Sequence, residues 1–222
     1  MYSDKPHINS LTKALLHLGI TDIVVCPGAR NAPLCHNFHQ AGFALRPVTD
    51  ERSAAFVAIG IYLETRRPTV VCVTSGTALL NTLPAVAEAY YRHIPLLIIS
   101  ADRPEEWIGH LDGQTLPQRD ALLPYAECVN TEEHTTLKTI NRKIKRSLQE
   151  QAPTHINIQI EEPLFQFTQP SLPDIDEPIE QIDSEENSVD EAQLNEIAQL
   201  INKAQFPLLV MGQQEEFAPD LF

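Results

Sequence analysis

Thr69-Val70-Val71-Cys72-Val73-Thr74-Ser75-Gly76-Thr77-Ala78-Leu79-Leu80 decides the fold. The stretch Thr69–Thr74 is a short, continuous apolar run and reads as a buried strand. Ser75-Gly76-Thr77 is a tight turn, and an apolar helix is expected from Ala78 to Tyr90. A strand buried on both faces that runs straight into a helix is the building block of a parallel sheet covered by helices.

The same alternation extends to either side. Toward the N-terminus, Ile8, Leu11, Leu15 and Leu18 recur at helical spacing before Gly19, a C-cap residue. Asp22 to Cys26 is a second apolar strand, broken by Pro27-Gly28. Asn31 and Pro33 suit an N-cap region and an early helical position, opening a helix to about Gln40. Ala44 to Val48 is a strand candidate, and the Ala-rich segment Glu51 to Thr65 reads as a buried helix, ended by Pro68. Toward the C-terminus, Ile94 to Ser100 is a strand and Asp102 to about Gln118 a polar loop. A helix over Thr135 to Gln151 and an alternating strand over His155 to Ile160 follow. The expected class is α/β, a parallel sheet flanked by helices. Such sheets bind ligands beyond the carboxyl ends of their strands.

The 222 residues suffice for one domain and the start of another, and a 43% hydrophobic fraction supports a packed core. Residues 1–168 make the first domain. Gln169 to Asp190 holds eight acidic residues and no Lys or Arg, and reads as a linker. From 191 a helix to Lys203 and a strand over Pro207–Met211 open a second α/β domain. One helix and one strand cannot bury a core, so residues 191–222 are expected to be the start of a truncated domain.

A net charge of −14 repels nucleic acid and anionic membranes. No run of eighteen apolar residues offers a membrane span, and the N-terminus lacks the pattern of a secretory signal, so a cytoplasmic protein is expected. Cys26, Cys35, Cys72 and Cys128 form no CxxC pair and are expected to be buried, reduced thiols. Cys35, His36 and His39 have metal-ligand types but no second ligand cluster, so no metal site is assigned.

Four strand ends carry unusual chemistry. Pro27-Gly28-Ala29-Arg30-Asn31 brings backbone close to whatever lies above the sheet, and Arg30 offers a planar fork to a carboxylate. Thr49-Asp50-Glu51-Arg52 begins an otherwise apolar helix; alone, it reads as capping or a dipole-stabilised carboxylate. Ser75-Gly76-Thr77 suits close approach of a ligand to backbone amides. Asp102-Arg103, followed by Asp112-Gly113-Gln114, offers Arg103 and Gln114 to polar groups, or else forms a salt-bridged loop.

Taken together and in this order, the four motifs closely resemble the N-terminal pyrimidine-binding domain of one family. These are the 2-succinyl-5-enolpyruvyl-6-hydroxy-3-cyclohexene-1-carboxylate synthases of menaquinone biosynthesis, and the likeness covers about residues 5 to 165. The resemblance implies a thiamine-diphosphate enzyme that decarboxylates 2-oxoglutarate and adds the succinyl carbanion equivalent to isochorismate. It implies that Glu51 is the catalytic carboxylate, holding the cofactor's aminopyrimidine and shuttling a proton. Pro27, Ser75, Gly76 and Thr77 would lie against the cofactor, and Arg30, Asn31, Arg103 and Gln114 against substrate. Mg²⁺ and diphosphate would be held by a Gly-Asp-Gly motif and a later Asn absent from these residues, so the 222-residue chain alone is expected to be inactive. Cofactor sites shared between subunits imply at least a homodimer. One departure is Ala29, where the family usually has Ser and a further hydroxyl. Two other readings stand beside this one: another thiamine-diphosphate carboligase resembling acetohydroxyacid synthase, and a non-catalytic α/β binding module in which Glu51 only caps its helix.

Overall fold

The computed structural model describes residues 1–111, 113–132, 134–174 and 190–208. The chain divides into two compact units, Met1–Ile182 and Asp183–Phe222, and the boundary falls inside the acidic stretch.

Unit 1 is a six-stranded sheet in the order β2-β1-β3-β4-β6-β5, with every pair parallel. The strands are β1 (Asp22–Val25), β2 (Ala44–Pro47), β3 (Thr69–Val73), β4 (Leu96–Asp102), β5 (Glu127–Thr131) and β6 (Thr154–Gln159). The helices are α1 (Pro6–His17), α2 (Ala32–Gln40), α3 (Glu51–Thr65), α4 (Thr77–Asn81), α5 (Leu83–Tyr91) and α6 (Leu137–Glu150).

Period-two alternation divides β3 between two cores. Val70 and Cys72 face α1, α2 and α6 through Leu11, Leu15, Phe38 and Ile144. Val71 and Val73 face α3, α4 and α5 through Ala55, Ile59, Leu79 and Val86. Every residue of β3 and β4 is buried, which is why both strands read as unbroken apolar runs. Each such Val, Leu or Ile contributes roughly 1.5–3 kcal/mol by leaving water. Alanines 54, 55 and 58 bring α3 close to the sheet.

The structure differs from the sequence expectation in three places. The single helix expected over 78–90 is two helices meeting at Thr82. Pro84 has no N–H with which to continue the first, and Thr82 turns its hydroxyl back to the Leu79 carbonyl, 2.7 Å. A sixth strand, β5, lies at the sheet edge; only Val129 and Thr131 of it are buried, so it carries no apolar run. Helix α3 is buried along one face only, since Phe56 and Val57 are 44% and 42% exposed.

The four cysteines are free thiols; Cys26 and Cys72 are buried, Cys35 and Cys128 partly so. Unit 2 contains α7 (Glu191–Lys203), N-capped by Asp190 accepting from Ala192 N at 3.1 Å. Most of the acidic linker expected over 169–190, and the strand expected over Pro207–Met211 from residue 209 on, lie outside the described residues.

Candidate active site

The parallel register places the carboxyl ends of β1 to β4 side by side, and each expected motif stands on one of them. After β1 the chain stays bound to β3 through Cys26 N to Cys72 O, 2.9 Å, and then turns at Pro27-Gly28. Gly28 lies directly on Thr74, where a Cβ would come within 2.6 Å of the Thr74 Cβ. Asn31 closes this turn from beneath. Its Oδ1 accepts from Gly28 N at 2.7 Å, and its Nδ2 donates to Cys26 O at 3.0 Å and to Cys72 Sγ at 3.7 Å. Asn31 is fully buried and its amide is bonded within the chain, so its contribution is the shape of the turn. Pro27 and Ala29 are exposed above it.

Helix α3 begins after β2, and two neighbouring carboxylates divide the work at its head. Asp50 is the N-cap: its backbone is extended, and its Oδ1 accepts from Ser53 N at 2.7 Å. Hydrogen bonding from the Ser53 side chain, and then from its N–H, holds the exposed Asp50 carboxyl below its ordinary range. Glu51 is the first helical residue and takes no part in capping. Among the described residues its carboxylate accepts one long hydrogen bond, from Asn81 Nδ2 at the end of α4, 3.5 Å. Burial, and then the negative charges of Glu51 and Asp50, push the neighbouring Cys26 thiol up to about 12. The base of the site is therefore a neutral sulfur, and the free carboxylate at its rim is Glu51.

The ends of β3 and β4 are tied together. Arg103 donates from one guanidinium nitrogen to Ser75 Oγ, 3.1 Å, and to Gln114 O, 3.4 Å. Gly76 has φ +83° and ψ −140°, and a Cβ there would stand 3.0 Å from Gln114 O. Ser75, Gly76, Arg103 and Gln114 thus form one cluster, with Gln114 exposed, Thr77 exposed at the head of α4, and Ser75 and Gly76 buried. Arg30 stands apart. It is 6% exposed and donates to Ile160 O at 3.0 Å and Glu162 Oε1 at 3.1 Å.

Behind the cluster lies a buried polar network with no motif signature in the sequence. Gln118 Oε1 accepts from Gly76 N at 2.6 Å, while its Nε2 donates to Asn157 Oδ1 at 2.8 Å and Ser100 Oγ at 3.2 Å. Asn157 Nδ2 donates to Asp102 Oδ2 at 2.9 Å and Asn130 Oδ1 at 2.8 Å. Burial pushes the Asp102 carboxyl up; hydrogen bonds from Asn157 and from Arg103 N, and the charges of Arg103 and Arg30, oppose that push. A cavity of about 600 Å³ opens here, lined by Asp102, Gln118, Asn130, Asn157 and Gln159. It adjoins the Arg103 side of the site, and neither Glu51 nor Pro27 lines it.

His155 closes the network, with Nε2 2.7 Å from Ser100 Oγ and Nδ1 buried without a partner among the described residues. Burial lowers its pKa from 6.5 to about 3. The unfolded chain therefore binds more protons between these values, and stability falls as pH drops from about 6.5 toward 3. Urea midpoints measured against pH for the full-length protein and its His155→Gln variant should differ with a slope in that window and run parallel above it. Parallel curves throughout would show that His155 is not held neutral. The Asp102 titration is common to both proteins and cancels.

The half-buried Glu51 carboxylate has one long bond, and close glycine packing brings the neighbouring backbone within reach. Among the described residues there is no group of three or more His, Cys, Asp or Glu that could hold a metal ion.

Residues 8–122 match the model for the thiamine pyrophosphate enzyme N-terminal TPP binding domain. The chain is 50% identical over 185 residues to a 2-succinyl-5-enolpyruvyl-6-hydroxy-3-cyclohexene-1-carboxylate synthase from Bacteroides thetaiotaomicron, covering 79% of this chain and 33% of that protein. It is 46% identical over 187 residues to the synthase of the same name from Bacteroides fragilis, with the same coverage. The chain thus spans about a third of the length of the curated relatives it matches. Among solved structures, benzoylformate decarboxylase from Polynucleobacter necessarius superposes with a TM-score of 0.60 at 19% identity, over 79% of this chain and 32% of that one, and shares its fold.

Proposed function

The chain belongs to the thiamine pyrophosphate enzyme N-terminal TPP binding domain family, and from that premise we propose that it is the pyrimidine-binding part of a 2-succinyl-5-enolpyruvyl-6-hydroxy-3-cyclohexene-1-carboxylate synthase. The reaction is decarboxylation of 2-oxoglutarate and addition of the remaining succinyl unit to isochorismate, a step of menaquinone biosynthesis. One observation carries the catalytic assignment. Asp50 caps α3, so the Glu51 carboxylate is not spent on the helix end and accepts a single long hydrogen bond, from Asn81, among the described residues. The identities to synthases of that name support the choice of substrates over those of a pyruvate-using carboligase. The capping-only reading of Glu51 loses its ground, because the cap is the preceding residue.

Thiamine diphosphate, when bound, supplies the nucleophilic carbon and the electron sink that decarboxylation of a 2-oxo acid requires. Glu51 would accept a hydrogen bond from the pyrimidine ring and hold or release the proton there. The dipole at the head of α3 stabilises the carboxylate between exchanges. Pro27 and Thr77, both exposed, would lie against the cofactor, and Arg103 and Gln114 would face the acid groups of the substrates; Ser75 and Gly76 are buried, with Ser75 Oγ taken by Arg103 and Gly76 N by Gln118, and shape the turn instead of offering it to a ligand. Arg30 lies close enough to act on Asp102 electrostatically and adds positive charge to the same side. Asn31 serves by holding the Pro27-Gly28 turn rather than by touching substrate. Mg²⁺ and the diphosphate would be held by residues other than those described.

We place the protein in the cytoplasm, consistent with its four free thiols. It works as a homo-oligomer, at least a dimer; the exposed Phe56 and Val57 of α3 and Leu80 of α4 support that reading. Residues 169–190 link this domain to a second α/β domain that starts at 191. The full-length protein, given thiamine diphosphate and Mg²⁺, should consume 2-oxoglutarate together with isochorismate and leave pyruvate untouched. Turnover of pyruvate with no use of 2-oxoglutarate would replace this reading with that of a pyruvate carboligase.

A further inference from the structure

The Gly76 turn and Arg103 are joined twice. The direct link is Arg103 to Ser75 Oγ, 3.1 Å. The second runs through the interior. Gly76 N donates to Gln118, Gln118 donates to Asn157, Asn157 donates to Asp102 Oδ2, and Asp102 Oδ1 accepts from Arg103 N at 2.8 Å. These bonds close a circuit whose members come from the ends of β3 and β4, the loop after β4, and β6. Gln118, Asp102 and Asn157 are each at most 1% exposed. An amide accepts from Gly76 with one atom and donates onward with the other without any titration, and Gln118 and Asn157 are both amides. Three buried polar side chains are expensive unless fully bonded, and a fully bonded buried network fixes one geometry.

We propose that Gln118 and Asn157 are positioning residues, which lock Arg103 and the Ser75-Gly76 turn into one arrangement and so set how the Arg103 guanidinium meets a carboxylate of the substrate. The proposal rests on the synthase reading above. Nothing in the sequence marks either residue: Gln118 lies in a polar loop and Asn157 in an alternating strand.

Asn157→Asp tests it in the full-length enzyme. The variant keeps the shape but sets a second carboxylate against Asp102, where Nδ2 now sits 2.9 Å away. Two carboxylates at that distance share a proton, so one of them titrates well above the ordinary range near about 4. With the proton bound the circuit is restored; as pH rises and the proton leaves, the two oxygens repel and Arg103 is displaced. The charged and titratable groups facing the pair are Arg103, Arg30, Glu105, Arg119, Asp120, Cys128 and His155. They are the same in both proteins, so the comparison with wild type isolates the new carboxyl.

The expected result is a KM for 2-oxoglutarate or isochorismate near wild type at about pH 6 and raised about tenfold or more at about pH 8.5, with kcat changed less. The calorimetric Kd for that acid should rise in parallel, while the Kd for thiamine diphosphate stays unchanged. A residue with a merely structural role would instead lower kcat and thermal stability with KM unaltered, and that outcome overturns the proposal. Should Asn157→Asp fail to fold, Gln118→Glu gives the same sign, because its protonated acid can still accept from Gly76 and donate to Asn157. An inactive wild type would overturn the reaction and the positioning role with it. An active wild type alongside variants with unaltered, pH-independent KM would overturn the positioning role alone.

Discussion

Replacing Glu51 by Gln in the full-length enzyme should lower turnover by about 10²–10⁴-fold, the span that a positioned proton-transfer group typically contributes, while leaving the fold intact. The two side chains match in size. Gln can still accept from Asn81 at the end of α4, but it cannot take up and release a proton. The helix does not depend on position 51, since Asp50 holds the cap through Ser53 N. The unfolding midpoint should therefore stay within about 0.5 kcal/mol of wild type, as for other exposed or half-exposed changes that touch no cap or core. Loss of activity with stability preserved is the signature of chemistry at Glu51. Near-normal turnover would return Glu51 to the status of a surface charge.

Gly76→Ala should damage both stability and function. The backbone there has φ +83° and ψ −140°, a region close to glycine-only, and holding an L-residue in it costs about 1–3 kcal/mol. A Cβ would also meet Gln114 O at 3.0 Å and Gln114 Cβ at 3.1 Å, so the loop that carries Gln114 must move. That loop accepts from Arg103 through Gln114 O, and Gly76 N is the donor to Gln118. The strain is thus delivered to the groups proposed to bind substrate. Urea titration should show the destabilisation and steady-state kinetics a raised KM for an acid substrate. Gly60→Ala provides the contrast. Gly60 lies inside α3, and a methyl group there would meet no atom within 4 Å, so the helix-favouring change should stabilise by about 0.5–1 kcal/mol. Equal effects at the two glycines would show that neither the backbone conformation nor the contact with Gln114 matters.

Much of the fold was legible because burial on both faces writes itself into the chain. Strands β3 and β4 carry the continuous apolar runs Val70–Val73 and Leu96–Ile99, and α1 shows its buried face in Ile8, Leu11 and Leu15. What escaped did so for physical reasons. Strand β5 sits at an edge, half in water, and so has no apolar run. The break at Thr82 comes from Pro84, an imino acid inside an otherwise helical pattern. The exposed face of α3 cannot be told from a buried one by composition, because Phe56 and Val57 are as apolar as the residues that pack.

The candidate site shows the same division. Glycines, prolines and charged groups at strand ends are visible as motifs, so Gly28, Glu51, Gly76 and Arg103 could be found. Their supports could not. Asn31 is conspicuous beside Arg30 but spends its amide on Gly28 and Cys26, and the bonds that tie Gln118 to Gly76, Gln118 to Asn157 and Asn81 to Glu51 span 42, 39 and 30 residues of sequence. The sharing of one helix head between a capping Asp50 and a free Glu51 depends on which oxygen reaches Ser53 N, and that is a matter of geometry rather than of residue type.

The most direct test of the central assignment is the exchange of the cofactor's acidic carbon-bound proton for deuterium in D₂O, followed by NMR after rapid acid quench, in the full-length enzyme and its Glu51→Gln variant. If Glu51 is the proton-exchanging acceptor of the pyrimidine ring, the variant should bind thiamine diphosphate yet exchange at least about 10²-fold more slowly. Equal exchange rates in the two proteins, both loaded with cofactor, would contradict it.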